Sequence, residues 1–492
     1  MSAAEAEALT SPEPPILLLG RRRPTRLAAA VAPRSPRLGV MLPYTPLHRL
    51  LLRTVGGPVV CTSGNVSDEP ICTDDEEARK KLGAIVDAIL RHDRPIVRPL
   101  DDSVARVGQG GLTLVRRARG FAPRAVPIRA SRSVLATGAH LKNTIAVSKA
   151  ARVVVSQHLG DLGASEAFAL HERTVEDLVR FFAVRPDVVA CDLHPDYAST
   201  RSAERFAALW GAPLVRVQHH HAHVAAVIAE HGLEGRVLGL AWDGAGVGTD
   251  GTSWGGEALV VDDASFRRVA HLRRFSLPGG ERASREPRRA ALGLLWEMFG
   301  RAASVDGWDE RALETLRSML ATGFGCVRAS SIGRLFDAVA AIAGVRQRAS
   351  YEGQAAMELE WAAAGASESE AYRFTLSDAR PAVLDWEPAI HELLRDRARG
   401  LDPSRMAARF HEGLAVAALE LAQRVGLPRV VLAGGCFQNL RLEQLVRERL
   451  SNRGYTVFTA RRFPPNDGGL SLGQLFVASR AEEVADVPRD PG

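Results

Sequence analysis

At 492 residues the chain is too long for one ordinary domain, and 46% apolar with 24% charged content is the balance of a globular protein that buries full cores. A formal charge of +6, the remainder of 63 basic against 57 acidic residues, is too small a bias to indicate nucleic acid, and no segment reaches the roughly 18 unbroken apolar residues of a membrane span. The opening Met1-Ser-Ala-Ala-Glu-Ala-Glu7 lacks the order of a signal peptide, and five cysteines without a CxxC pair argue against a disulfide framework or a zinc knuckle, so a reducing, cytoplasmic setting is expected.

Residues 1–36, rich in Ala, Pro and Arg, carry one strand-like run, Ile16-Leu-Leu-Leu19. Gly39-Val-Met-Leu-Pro-Tyr-Thr-Pro46 then leads into a helix with Leu47, Leu50 and Leu51. Pro58-Val-Val-Cys-Thr62 reads as a strand that delivers Ser63-Gly64-Asn65, small polar residues that let a ligand approach closely. Thr73-Asp-Asp-Glu76 resembles a capping box before a helix through Ile89. Strands are expected at Arg94–Val97, Ser103–Val107 and Leu112–Val115, and the basic run Arg116-Arg-Ala-Arg119 reads as a solvated edge or an anion site.

The polar stretch from Gly120 to Ser133 makes a domain boundary. Beyond it Leu135–Gly138, Asn143–Val147 and Arg152–Ser156 read as three strands with tight connections, followed by a helix from Ser165 to Phe182, a strand at Val188–Asp192, another helix and a strand ending at Val217. Gly235 opens a second set, with Val237–Asp243, a glycine-dense loop and Glu257–Val261. The repeated order predicts a duplicated α/β fold with a ligand between two lobes. Residues 282–425 read as mostly helical, a buried strand at Arg429–Ala433 runs into Gly434-Gly435 and a helix start at Asn439, and the last dozen residues are polar.

Gln218-His219-His220-His221-Ala222-His223 lies where a strand hands over to a helix. On a helix His219 and His223 fall one turn apart on one face and can share a metal ion, while His220 and His221 point elsewhere; the alternative is an exposed histidine-rich loop. Three glycine-bearing turns follow strands: Thr137-Gly138-Ala-His-Leu-Lys142-Asn143, Asp243-Gly244-Ala-Gly-Val-Gly248 and Gly434-Gly435-Cys-Phe-Gln-Asn439. Their amides can face phosphate oxygens, which favours a nucleotide over plain turns, with Lys142 either neutralising phosphate charge or simply exposed. Of the two carboxylates in glycine-rich surroundings, Asp243 and Asp467, the second is the better candidate for a third metal ligand, which leaves Asp243 with the nucleotide turns.

Leu38–Pro127 is similar to part of a YrdC-like domain, and Ser133 to about residue 477 looks like a TsaD-type lobe. The wording of Met41-Leu-Pro-Tyr-Thr-Pro-Leu-His48, Thr62-Ser-Gly-Asn65, Gln218–His223, Ser350-Tyr-Glu-Gly-Gln-Ala-Ala-Met357 and Ala433-Gly-Gly-Cys-Phe-Gln-Asn439 resembles the HypF family of hydrogenase-maturation carbamoyltransferases. The resemblance implies an α/β chain with a partial YrdC-like domain at 1–128, a two-lobed actin/sugar-kinase-like (TsaD-like) duplicated domain at 129–480 and a polar tail at 481–492. It further implies that carbamoyl phosphate and ATP with Mg2+ yield carbamoyl-adenylate in the first domain, where Ser63 and Asn65 contact it, and that the second domain passes the carbamoyl group to the C-terminal cysteine of HypE. On this reading His219, His223 and Asp467 hold iron or zinc, and Gly138, Lys142, Asn143, Asp243, Gly244, Gly434, Gly435 and Asn439 hold nucleotide, with no nucleic acid or membrane partner. Cys436 is then a packed small residue, since the partner supplies the thiol. The family's acylphosphatase domain, zinc motifs and the first half of its YrdC-like domain have no counterpart in this sequence. A non-catalytic nucleotide- and partner-binding scaffold, a small-molecule O-carbamoyltransferase and a sugar-kinase-like phosphotransferase are the rival readings, the HxxxH pair arguing against the last.

Overall fold

In the computed structural model, which describes residues 1–22, 27–67, 69–128, 130, 132–366 and 370–481, the run read at Ile16 is a central strand of a four-stranded sheet. Ile16–Gly20 pairs antiparallel with Arg37–Val40 and parallel with Val104–Gly108, which forms a hairpin with Gly111–Arg116. The core beneath is small: Ala8 and Leu9 of the Ala3–Thr10 helix pack with Leu17, Ala105 and Leu114.

The excursion between Val40 and Val104 departs from the sequence reading. The expected strands at 58–62 and 94–97 are irregular, because β-branched runs become strands only where a neighbour pairs their N–H and C=O groups, and among the described residues none does so here. The helix expected through Ile89 spans only Asp75–Leu82: Asp74 caps it by accepting from the amides of Glu76 and Glu77, and the chain leaves helix at Gly83. The Pro46–Val55 helix forms as read, but none of its residues is buried and Leu50 is 60% exposed. Arg116–Arg119 is neither a solvated edge nor an anion site. Arg117 is buried and donates to the carbonyls of Val155 (2.9 Å) and Phe121 (2.7 Å), while Arg119 pairs with Asp102 (2.5 Å) and lies over the Tyr44 ring.

The chain divides into two units, one of Met1–Val217 with the described residues from Arg461 on, the other of Gln218–Ala460. Besides the four-stranded sheet, the first holds a five-stranded sheet in the spatial order Arg152–Val155, Ala146–Lys149, Val134–Ala136, Val188–Asp192, Leu214–Val217. Its first three strands are antiparallel and the last two run parallel, each reached through a helix, Ser165–Phe181 and Ala198–Trp210. Leu135, Val147, Val175, Val189 and Phe206 form the core, and the Leu470–Arg480 helix, buried over Leu470–Ser479, packs on the same sheet.

The second unit repeats that order in its own sheet: Ser265–Leu272, Ser253–Asp262 and Val237–Val247 antiparallel, then Arg429–Ala433 and Thr456–Thr459 parallel. The duplication expected from the sequence is thus present strand for strand. Helices between Pro287 and Val425 fill the long connection, and Trp242, Phe336, Trp386 and Phe410 anchor the core they share with the sheet. Among the described residues no helix is long and apolar enough to cross a membrane. The polar tail lies outside the described residues except for Ala481.

Candidate metal centre

The histidine stretch is the first turn of a helix, His219–His231, that is buried from His219 through Glu230, so the exposed-loop alternative is excluded. Gln218 caps this helix: its Oε1 accepts the His221 amide (2.9 Å), and its Nε2 donates to the Val247 carbonyl (3.0 Å). That double attachment ties the histidine turn to the Val237–Val247 strand.

His219 and His223 share a face, and their Nε2 atoms lie 3.3 Å and 3.1 Å from one oxygen, Oδ2 of Asp243. These donor atoms lie within 4.8 Å of one another, and two imidazole nitrogens with a carboxylate oxygen suit zinc or iron. Oδ1 of Asp243 accepts the Gly435 amide at 3.0 Å. Burial alone would push the Asp243 carboxyl up, but the charge and hydrogen bonds of His223 and His219 hold it well below the usual carboxylate range. His220 turns away to Gln218 (Nδ1 to Nε2, 3.1 Å), and His221 packs on Phe266; burial keeps both neutral, His220 well below its usual value and His221 near 3.

Asp243 is not in a loop, as its glycine-rich surroundings suggest, but in a strand at a bulge. The pairing passes from Trp242↔Gly256 to Gly246↔Trp254, so Asp243, Gly244 and Ala245 together oppose Gly255. Such a bulge bends the strand and re-aims a side chain. Gly246 makes room for the imidazoles, since a Cβ there would lie 2.7–2.8 Å from ring carbons of His220 and His219. Gly434, at φ +95°, is required by the strand itself, because its Cβ would meet the Trp242 carbonyl oxygen at 2.4 Å.

Most of the other residues marked from the sequence are engaged by protein groups. The Gly138 amide donates to Gln474 Oε1 (2.9 Å). Asn143 is fully buried, gives Nδ2 to the Thr137 and Ala139 carbonyls and meets His171 Nδ1 through Oδ1 (3.0 Å). The Lys142 amide donates to Asp161, and Asn439 caps the Leu440–Ser451 helix while its Nδ2 reaches His411 Nε2 (2.8 Å). Asn65 donates to the carbonyls of Val66 and Glu69, closing its loop, and Ser63 is exposed. Asp467 opens a short 3-10 turn, Asp467–Gly469, in the first unit. Burial first, and the Asp243 charge second, push the Cys436 thiol well up, so it is a neutral packed group.

Two residues escaped the sequence reading. Ser331 Oγ donates to the carbonyl region of the bulge, 2.9 Å from Asp243 O and 2.7 Å from Gly244 O, and it caps the Ile332–Ile342 helix that carries Arg334. The Ser330-Ser331-Ile-Gly-Arg334 wording is a helix-start signal, but nothing in it says which strand the helix meets.

Three family descriptions match in series: "Telomere recombination" (the Sua5, YciO and YrdC group) over residues 1–118, "HypF Kae1-like domain" over 129–230, and "Carbamoyltransferase, Kae1-like Domain, second subdomain" over 239–474. Carbamoyltransferase HypF of Synechocystis sp. is 39% identical over 97% of this chain, which spans 64% of that relative's length. A carbamoyltransferase HypF homolog of Cupriavidus necator is 41% identical over 72% of this chain and 94% of its own. A crystal structure of full-length HypF in the phosphate- and nucleotide-bound form superposes with a TM-score of 0.94 at 40% identity, covering 98% of this chain and 77% of that one. Two imidazoles one helical turn apart on a strand-bulge aspartate, within a duplicated α/β fold that matches HypF throughout, place this chain in the HypF carbamoyltransferase family.

Proposed function

We propose that residues 129–480 carry out carbamoyl transfer: the carbamoyl group of carbamoyl-adenylate passes to the thiol of the C-terminal cysteine of HypE. The adenylate itself derives from carbamoyl phosphate and ATP with Mg2+ in the first domain. In the transfer the thiolate sulfur attacks the carbamoyl carbon, the carbon–oxygen bond to the phosphate breaks, AMP leaves with the negative charge, and the thiol proton is lost to solvent. The observation that carries this reading is the convergence of His219 and His223 on an ionised Asp243 inside a chain about 40% identical to HypF.

The donor set fits iron or zinc, and such an ion would act as a Lewis acid that polarises the carbamoyl carbonyl. The chain's own residues orient that set. Gln218 fixes the rotation of the histidine turn, the Gly435 amide fixes the carboxylate, and Gly246 leaves space for both rings. Asp467, a carboxylate among glycines, is assigned as a further ligand beside His219 and His223. The phosphate- and nucleotide-bound state of the HypF relative supports a nucleotide here as well. With the side chains of Asn143 and Asn439 spent inside their turns, Gly138, Lys142, Gly244, Gly434 and Gly435 contribute through the shape of the turns they build. Ser63 and Asn65 are assigned to the adenylate in the first domain.

The test is to incubate the chain with synthetic carbamoyl-adenylate and HypE and weigh HypE by mass spectrometry. A gain of one carbamoyl group at the C-terminal cysteine is expected. An unmodified thiol would overturn the transfer and leave a nucleotide- and partner-binding scaffold.

A further inference from the structure

Arg334 is 9% exposed, and its guanidinium is under-used. Among the described residues Nε and Nη1 are buried without a hydrogen-bond partner, and Nη1 lies 2.8 Å from Asp337 Oδ2 in an ion pair that fails hydrogen-bond geometry, so that oxygen too is unsatisfied there. A guanidinium carries five donors and stays charged at every working pH, so burying it without an aligned acceptor is costly, and such groups in folded proteins are found with a ligand or water on them.

Its position says what that ligand is near. Arg334 sits in the first turn of the Ile332–Ile342 helix, which is pinned to the Asp243 bulge by Ser331 Oγ. Gly333 allows the approach, since a Cβ there would meet Gly244 Cα at 2.8 Å and Asp243 O at 3.0 Å. The guanidinium consequently reaches the Gly244 side of the bulge, where a Cβ added to Gly244 would lie 3.7 Å from Nη2 and meet nothing else within 4 Å. One peptide along, the Asp243 carboxylate meets His219 and His223. The bulge thus brings metal-type donors at Asp243 and an unsatisfied planar cation at Gly244 to neighbouring peptides.

We propose that Arg334 is the oxyanion-binding residue of this site, donating to a phosphate oxygen of a nucleoside monophosphate or its ester beside the Asp243 centre. The assignment rests on the transfer reading above and adds the residue that receives the phosphate. The fork of a guanidinium matches two phosphate oxygens, which an ammonium cannot do.

Binding of AMP, adenosine and inorganic phosphate to the full chain, followed by calorimetry, tests it in wild type, Arg334→Gln, Arg334→Lys and Gly244→Val. AMP should bind at least about tenfold more weakly to Arg334→Gln and to an intermediate degree to Arg334→Lys, with metal content and melting temperature kept. Adenosine, which lacks the phosphate, should not distinguish the proteins. Inorganic phosphate that loses affinity alongside AMP marks a site for phosphate itself, whereas loss with AMP alone marks one for the nucleotide ester. Equal AMP affinity in wild type and Arg334→Gln overturns the proposal, as does a parallel loss of AMP and adenosine, which marks a packing role. If Arg334→Gln does not fold, Gly244→Val decides, because its side chain occupies the space before Nη2 and full AMP affinity would then exclude a ligand there. A wild-type chain that transfers carbamoyl with no Arg334 effect on AMP sinks the subsite alone; a wild-type chain that binds no AMP sinks the nucleotide reading and the subsite together.

Discussion

Two Nε2 nitrogens and one carboxylate oxygen converge at the candidate metal centre. His219→Ala, His223→Ala and Asp243→Ala should each abolish stoichiometric metal, measured by elemental analysis, while His220→Ala, whose ring turns to Gln218, should keep most of it. Equal metal in wild type and a His219/His223 double variant would remove the centre altogether. Asn143 behaves differently. Its amide holds two backbone carbonyls and its oxygen meets His171, all in buried surroundings, so Asn143→Leu should cost on the order of 3 kcal/mol in urea unfolding by stranding those partners. A substitution that left stability intact and weakened only nucleotide would return Asn143 to a ligand role.

At the level of elements, the Val237–Val247 strand organises the second unit: its bulge aims Asp243, its Gly246 admits the imidazoles, and its Trp242 carbonyl faces Gly434. Gly434→Ala should therefore lower the melting temperature without any nucleotide present, by a cost above about 1 kcal/mol, because φ +95° and a 2.4 Å approach to the carbonyl oxygen both exclude a side chain. An unchanged melting temperature would mean that the turn relaxes and that the glycine serves a ligand. Repeat order, helix starts and most of the strands in the duplicated α/β part were legible because each rests on local periodicity and capping, whereas Ser265–Leu272 and Thr456–Thr459 were not read. The runs at 58–62 and 94–97 were misread for the opposite reason: strand formation depends on a partner, and the apolar pattern alone does not supply one.

Across the whole molecule, two buried histidines that are not among the candidate metal ligands contribute to an acid limit. His171 is held near 3 by burial, with Arg205 adding to it, and His411 near 4 by burial, against a hydrogen bond to the Ala407 carbonyl. Both are neutral when folded and take up protons below about 6.5 when unfolded, so the folded state binds fewer protons there. Stability should be flat above pH 6.5 and fall as the pH drops from 6.5 toward 4 and 3, followed as melting temperature against pH. A flat profile down to pH 4 would contradict the buried neutral state. The same scale governs the first domain. Leu50, Val60, Ile85, Leu90 and Val97 are all exposed, while the sheet's buried apolar cluster among the described residues is Ala8, Leu9, Leu17, Ala105 and Leu114. A domain with so little closed core should not bind and adenylate on its own, so the chain should lack carbamoyl-phosphate-dependent exchange of pyrophosphate into ATP while still transferring carbamoyl from supplied adenylate. Exchange activity from the isolated chain would overturn this separation.

Sequence alone determined the duplicated α/β order, the helical face shared by His219 and His223, and the family, since spacing, caps and motif wording are local properties of the chain. Only the tertiary structure decided that Asp243 joins the histidines, that Asn143 and Asn439 serve their own turns, that Arg117 and Arg119 are internal ties, and that Arg334 lies against the bulge. The physical reason is common to all four. A carboxylate, an amide or a guanidinium is chemically complete only with its partner, and the partners here sit 20 residues away for Asp243 with His223, 28 for Asn143 with His171 and for Asn439 with His411, and 38 for Arg117 with Val155. A bulge, moreover, is a property of two strands and cannot be read from one.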